Sequence, residues 1–145
     1  MFGLWDGTVS VIGFIFGLLL HHSSLSAIAI GGLGGAISAS VSMGTGEYEK
    51  SDEHWRVRLV TALTMTGATL VGSMIPVIPF FLLQRNPALV VSALGCFALA
   101  SYIGWLKHRG LVGFIRVYVT LLLAVSLTLG IVAAIINVRV HAYTV

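Results

Sequence analysis

The sequence predicts an all-α integral membrane protein that crosses the bilayer five times. Hydrophobic residues make up 57% of its 145 residues and charged residues only 9%, whereas soluble domains carry about 25% charged residues. Long stretches without charge run over 59–84, 86–106 and 117–138. Each reaches the roughly 20 residues that a helix needs to cross the hydrocarbon layer.

Short polar turns divide the chain into five apolar segments. The first segment ends at His21 and His22, and the second runs into an acidic stretch. Pro87 is expected to open the fourth segment, and Trp105 marks the interfacial end of that segment. One domain, 1–145, is therefore predicted, with spans at about 4–22, 25–49, 58–83, 87–106 and 111–138.

Basic residues predict the orientation of these spans. The turn between helices 2 and 3 and the turn between helices 4 and 5 share one side of the membrane. They hold Lys50, Arg56, Arg58, Lys107, Arg109 and Arg116, which leaves only Arg85 and Arg139 for the other side. The positive-inside rule then places the N-terminus and the acidic stretch in the cytoplasm. The basic residues form no stripe with aromatic spacing, so no nucleic-acid partner is expected.

Asp6 is an ionisable residue at or just inside the membrane edge. It shares a helical face with Ser10, Gly13 and Gly17, and the Gly13-x-x-x-Gly17 spacing would allow a second helix to approach closely. Ionisable groups at membrane depth often mark ion or proton paths. The alternative is an acid that favours the helix start at the headgroups. The residues alone leave both interpretations open.

Met43 and Glu47 form a second candidate site at the end of helix 2. They lie four residues apart and would share one helical face. A thioether beside carboxylates suits Fe²⁺, Mn²⁺ or Co²⁺ better than Mg²⁺ or Ca²⁺, although methionine alone is more often packing. Four residues beyond this pair could form a cytoplasmic mouth for cations or a plain solvated turn: Glu49, Asp52, Glu53 and His54.

Two further motifs have open roles. His21 and His22 could bind a metal or titrate near neutral pH, but an ordinary polar turn is the simpler interpretation. Pro76 and Pro79, three residues apart, are expected to kink or break helix 3 and to expose carbonyls that line a pathway. No enzyme motif is complete: Asp6 and Gly7 begin like the membrane phosphatidyltransferase signature without its remaining residues, and no metalloprotease pattern occurs. The protein is therefore not expected to be an enzyme.

Taken in order, three motifs resemble the vacuolar iron transporter family. They are Asp6-Gly7-x-x-Ser10, Ser42-Met43-x-x-Gly46-Glu47-Tyr48 and Pro76-x-x-Pro79. Because residues 47–58 leave no room for the cytoplasmic metal-binding domain of longer members, the chain is similar to the short nodulin-like and prokaryotic branch.

The resemblance implies a transporter that exports Fe²⁺ or Mn²⁺ from the cytosol in exchange for protons. It implies a homodimer with the pathway at the dimer interface, lined by Asp6 and Met43, with Glu47 as a ligand on the cytoplasmic side. The metal is then a substrate, no cofactor is permanently bound, and the partners are a second copy, the bilayer, metal ions and protons. Without an organelle signal, a prokaryotic plasma membrane is favoured over a vacuolar one. A non-transporting scaffold or subunit, or a cation channel of other selectivity, remains the alternative.

Overall fold

Four long helices form the part of the chain that the computed structural model describes, which is residues 2–107 together with positions 115, 118–119, 122–123, 126–127 and 130–131. They are α1 (Phe2–Leu20), α2 (Leu25–Lys50), α3 (Trp55–Leu82) and α4 (Arg85–Lys107). Each is long and apolar enough to cross a membrane. The described residues contain no strand, so they confirm an all-α protein with four of the predicted spans. The fifth span, 111–138, lies outside the described residues apart from the positions above.

Local sequence explains where the helices begin and end. Ser24 caps the start of α2, because its side-chain oxygen accepts a hydrogen bond from the Ala27 N–H at 3.2 Å. His22 ends α1 with a φ of 54°, the left-handed conformation that often terminates helices. The Ser23 N–H then donates to the Leu18 carbonyl at 3.1 Å.

The third helix is the centre of the bundle, because each of the other three helices packs more extensively against it than against any other helix. Gly3 and Gly7 of α1 lie against Met65 and Thr69 of α3 in the same order along both helices, so α1 and α3 run parallel. On α2, Gly32 borders Val77 and Gly44 borders Thr66, so α2 runs antiparallel to α3. The start of α1, the end of α2 and the start of α3 therefore meet at one end of the bundle, which we call the loop end.

The opposite half of the bundle holds the apolar core. Val11 and Ile15 of α1, Ile28 of α2, and Val77 and Phe80 of α3 are all buried in one cluster. Close packing of these side chains fixes the three helices relative to each other. The candidate site at the loop end therefore rests on a rigid base.

Of the predicted kink or break at Pro76 and Pro79, the break is wrong, because α3 continues through both prolines to Leu82; the kink stays a prediction. Pro76 has no N–H to donate to the carbonyl one turn earlier, that of Gly72. The Thr8 hydroxyl of α1 donates to this carbonyl at 2.8 Å, and it shares its one hydrogen with the Leu4 carbonyl of its own helix, also at 2.8 Å. A neighbouring helix thus supplies the missing donor, as membrane helices require.

Pro87 was also expected at the first helical position, but α4 begins two residues earlier, at Arg85. The first four N–H groups of a helix have no partner within it. Pro87 is therefore tolerated inside the first turn, where the Ala88 N–H already donates to Gln84 at 2.9 Å.

Candidate metal site at the loop end

Asp6 lies one turn into α1, half-buried. Gly3 and Gly7 turn a different side of the helix towards α3. Phe2 and Ser10, four residues before and after Asp6, are exposed in the part of the chain that the structure describes. Asp6 therefore lies on a side of α1 that α2, α3 and α4 leave largely uncovered.

Met43 and Glu47 lie on the last two turns of α2, both half-buried. Gly44 between them is buried, and a Cβ there would lie 3.2 Å from the Ala62 carbonyl oxygen of α3. Because Gly44 packs directly on α3, the two flanking side chains are held near the loop end. Asp6 reaches the same end from α1, through the contacts of Gly3 and Gly7 with α3.

Glu47 takes part in an ion pair with Lys50, the atoms Oε2 and Nζ being 4.0 Å apart. The Lys50 side chain is 79% exposed and that of Glu47 is 25% exposed. Such long, solvated pairs contribute little to stability. Glu47 can therefore exchange this lysine for a metal ion at small cost.

The predicted cytoplasmic mouth consists of the last turn of α2 and the loop after it, and it is solvated. Glu49, Asp52, Glu53 and His54 are all exposed. His54 occupies the N-cap position of α3 without a side-chain cap hydrogen bond, and its carbonyl accepts from the Val57 N–H at 2.9 Å. These residues do not form a preorganised metal-binding site, although their charges lie next to Glu47.

An arginine contact at this loop was not foreseen from the sequence. The Arg58 Nε donates to the Tyr48 carbonyl at 2.9 Å, and the Arg58 guanidinium carbon lies 4.3 Å from the centre of the Tyr48 ring. The pair joins the end of α2 to the start of α3 and fixes the turn that follows Glu47. The signal available in the sequence was an arginine ten residues after a tyrosine, across a very short loop.

The prolines lie further from the loop end than Asp6. Pro76 lines an apolar cleft of about 220 Å³ between α1, α3 and α4, and its carbonyl accepts from the Ser92 hydroxyl at 3.0 Å. Pro79 is buried. The pathway-lining role of both prolines stays a prediction.

His21 and His22 lie at the opposite end of α1, exposed in the turn that leads to α2. The His21 N–H donates to Gly17 at 3.2 Å, and the His22 N–H donates to Leu19 at 3.1 Å. These backbone bonds account for the turn without a metal.

The described residues of one chain do not assemble a complete metal site. No group of three or more His, Cys, Asp or Glu side chains able to hold a metal is found among them. Thr69 of α3 does offer an unused group: its hydroxyl oxygen is buried without a hydrogen-bond partner, beside Gly3 of α1.

Comparison with known proteins adds one match. Residues 1–54 match the family model described as the VIT family, which confirms the predicted resemblance over this part of the chain. No curated protein and no solved structure matches the chain. The matched residues comprise α1, α2 and the loop that follows, and so include Asp6, Met43 and Glu47.

Proposed function

Since its first two helices match the VIT family, we propose that this protein is a membrane transporter that exports Fe²⁺ or Mn²⁺ from the cytosol in exchange for protons. Asp6, Met43 and Glu47 are the proposed ligands of the transported ion. The protein is a multi-pass membrane protein with its N-terminus and loop end in the cytoplasm, in a prokaryotic plasma membrane rather than a vacuolar one.

One observation carries this proposal: the two family-matched helices bring an acid and a thioether to the same end of the bundle. Asp6 is on the second turn of α1, and Met43 is on the penultimate turn of α2. Both helices pack there on one stretch of α3, from Ala62 to Thr69. A thioether favours borderline transition metals, and a carboxylate supplies the charge that offsets lost hydration.

A second copy of the chain would complete the site. The side of α1 that α2, α3 and α4 leave largely uncovered carries Phe2, Asp6 and Ser10, and Phe2 is 60% exposed. A dimer packed through this side would bring two copies of Asp6 together and cover the ring of Phe2. Two chains would then supply at least six ligand side chains where one supplies three.

The proposed transport cycle uses charge and protonation. The acidic loop raises the local concentration of cations at the mouth. Glu47 exchanges its ion pair with Lys50 for a contact with the metal ion. Met43 and Asp6 then replace part of the hydration shell of that ion. A proton arriving at Asp6 or Glu47 from the other side removes a negative charge, which weakens metal binding and releases the ion.

Flux measurements in proteoliposomes test this proposal. Fe²⁺ and Mn²⁺ uptake should require the protein and should increase when the pH gradient drives protons the opposite way. Metal flux that does not depend on the pH gradient would indicate a channel instead. Absence of flux, together with no protection of growing cells from excess iron or manganese, would indicate a non-transporting scaffold.

Methionine variants test the soft ligand. Met43→Leu keeps the side-chain volume and removes the sulfur, so it should lower Fe²⁺ flux several-fold. Met74→Leu is the matched control, because Met74 is also half-buried but packs against the apolar core. Equal flux in the two variants would show that the Met43 sulfur is not a ligand of the transported ion.

A further inference from the structure

An open groove runs between α2 and α3 on the outside of the loop end. Its volume is about 270 Å³, and its walls are Val41, Thr45 and Tyr48 from α2 and Leu59 and Leu63 from α3. The eight residues from Val41 to Tyr48 extend about 10 Å along the helix axis. Val41 is 57% exposed and Leu63 is 62% exposed, so the groove opens sideways, towards the surrounding lipid.

One guanidinium group lies at the loop end of this groove, and a second lies on the first turn of α3. The Arg58 guanidinium carbon is 4.3 Å from the centre of the Tyr48 ring, and Tyr48 itself lines the groove. The Arg56 guanidinium carbon is 5.3 Å from the centre of the Trp55 ring. Tyrosine and tryptophan at this depth are typical of the membrane interface.

Neither arginine is paired with an acid in the part of the chain that the structure describes. The one ion pair recorded there joins Lys50 and Glu47, although the same loop holds several carboxylates. The Arg58 Nε donates to the Tyr48 carbonyl, which leaves its terminal NH₂ groups for another acceptor. A guanidinium fork matches the geometry of a phosphate.

We propose that this groove binds an anionic phospholipid. One acyl chain lies along Val41, Leu59 and Leu63, and the headgroup phosphate meets Arg58 and Arg56. A free phosphate would use only the arginines, and a neutral acyl chain would use only the groove, whereas a phospholipid uses both at once. The exposed carboxylates of the same loop repel the phosphate, and added salt weakens this repulsion. The site is independent of metal transport.

Native mass spectrometry of the purified full chain with equal amounts of phosphatidylglycerol and phosphatidylcholine tests the headgroup. Each arginine is expected to favour the anionic lipid about five-fold. The wild type should therefore retain phosphatidylglycerol preferentially, and the Arg56→Gln/Arg58→Gln variant should lose the preference. Arg85→Gln, at the other end of the bundle, is the control and should keep it. Arg58→Lys retains the positive charge and should keep most of the preference for phosphatidylglycerol. This variant therefore separates loss of the lipid from loss of the fold.

A second variant tests the groove. Thr45→Phe adds bulk between Val41 and Tyr48 and leaves both arginines in place, so it should reduce phosphatidylglycerol retention several-fold. A wild type that retains both lipids equally would overturn the proposal. Retention that Thr45→Phe does not change, but that excess inorganic phosphate abolishes, would also overturn it, since that would be an anion site without a lipid.

Discussion

The hydroxyl of Thr8 donates a hydrogen bond to the carbonyl oxygen of Gly72 at 2.8 Å, across the contact between α1 and α3. Gly72 lies four residues before Pro76, whose ring nitrogen carries no hydrogen to pair with that carbonyl. Thr8 is fully buried, so water does not reach the bond. This bond lets α3 remain continuous and fixes α1, the helix that carries Asp6, in register with it.

Removal of this hydroxyl should destabilise the bundle. Thr8→Val keeps the shape but leaves the Gly72 carbonyl without a donor, at a cost of about 1–2 kcal/mol in the free energy of unfolding in detergent. Thr64→Val is the control, because the Thr64 hydroxyl is exposed and bonds only within its own helix, to Val60. Pro76→Ala restores the backbone donor, so Thr8→Val should cost less in that background. An equal cost in both backgrounds would contradict the account.

Close contact between α1 and α3 predicts a strong effect at Gly72. A Cβ there would lie 2.8 Å from the Leu4 Cα, and backbone atoms cannot move aside as a flexible side chain can. Gly72→Ala should lower the unfolding free energy by about 1–3 kcal/mol. Gly67→Ala, on the same helix with nothing within 4 Å of the added carbon, should be neutral or stabilise by up to about 1 kcal/mol. Similar stabilities in thermal unfolding of the two variants would refute this packing.

Variants of His22, in the turn after α1, distinguish a backbone role of this residue from a metal-binding role. Its φ of 54° suits glycine or asparagine better than branched residues. His22→Gly should stabilise by about 0.5–1 kcal/mol, and His22→Val should destabilise. His22→Asn should keep both the fold and the metal flux. If His22→Asn folds normally but loses transport, the imidazole belongs to the pathway.

Part of this architecture could be predicted from the sequence. Uninterrupted apolar stretches predicted the four described spans, because length and hydropathy are properties of one segment. The partners of each helix could not be predicted in this way. The sequence pointed to Gly13 and Gly17 for close approach, which stays a prediction, and it did not single out the tight contacts of Gly3 and Gly7 with α3.

Hydrogen-bond donors that are distant in the sequence limited the remaining predictions. The helix break at Pro76 was expected because the compensating hydroxyl of Thr8 lies 64 positions away in the sequence. For the site, spacing placed Met43 and Glu47 on one face. The alternation of the spans placed Asp6 at the same end, and the packing of both helices on α3 is what the structure adds.

Charge in the loop predicts a salt-dependent transport rate. Glu49, Asp52 and Glu53 are exposed, so they can attract cations without binding them. Replacing all three by their amides should lower Mn²⁺ flux several-fold at low ionic strength, and the difference should shrink as added salt screens the field. A loss of flux that persists at high salt would instead make one of these residues a direct ligand.

Substitution of Asp6 tests the central claim most directly. Asp6→Asn keeps the size and removes the charge, and Ser10→Ala alters the same side of α1 without touching a proposed ligand. In proteoliposomes, we expect initial Fe²⁺ flux to fall at least about ten-fold in Asp6→Asn, which corresponds to about 1.4 kcal/mol of lost stabilisation of the ion along its path, and to stay near wild type in Ser10→Ala. Wild-type flux in correctly folded Asp6→Asn protein would contradict the assignment of this chain as a metal transporter that works through Asp6.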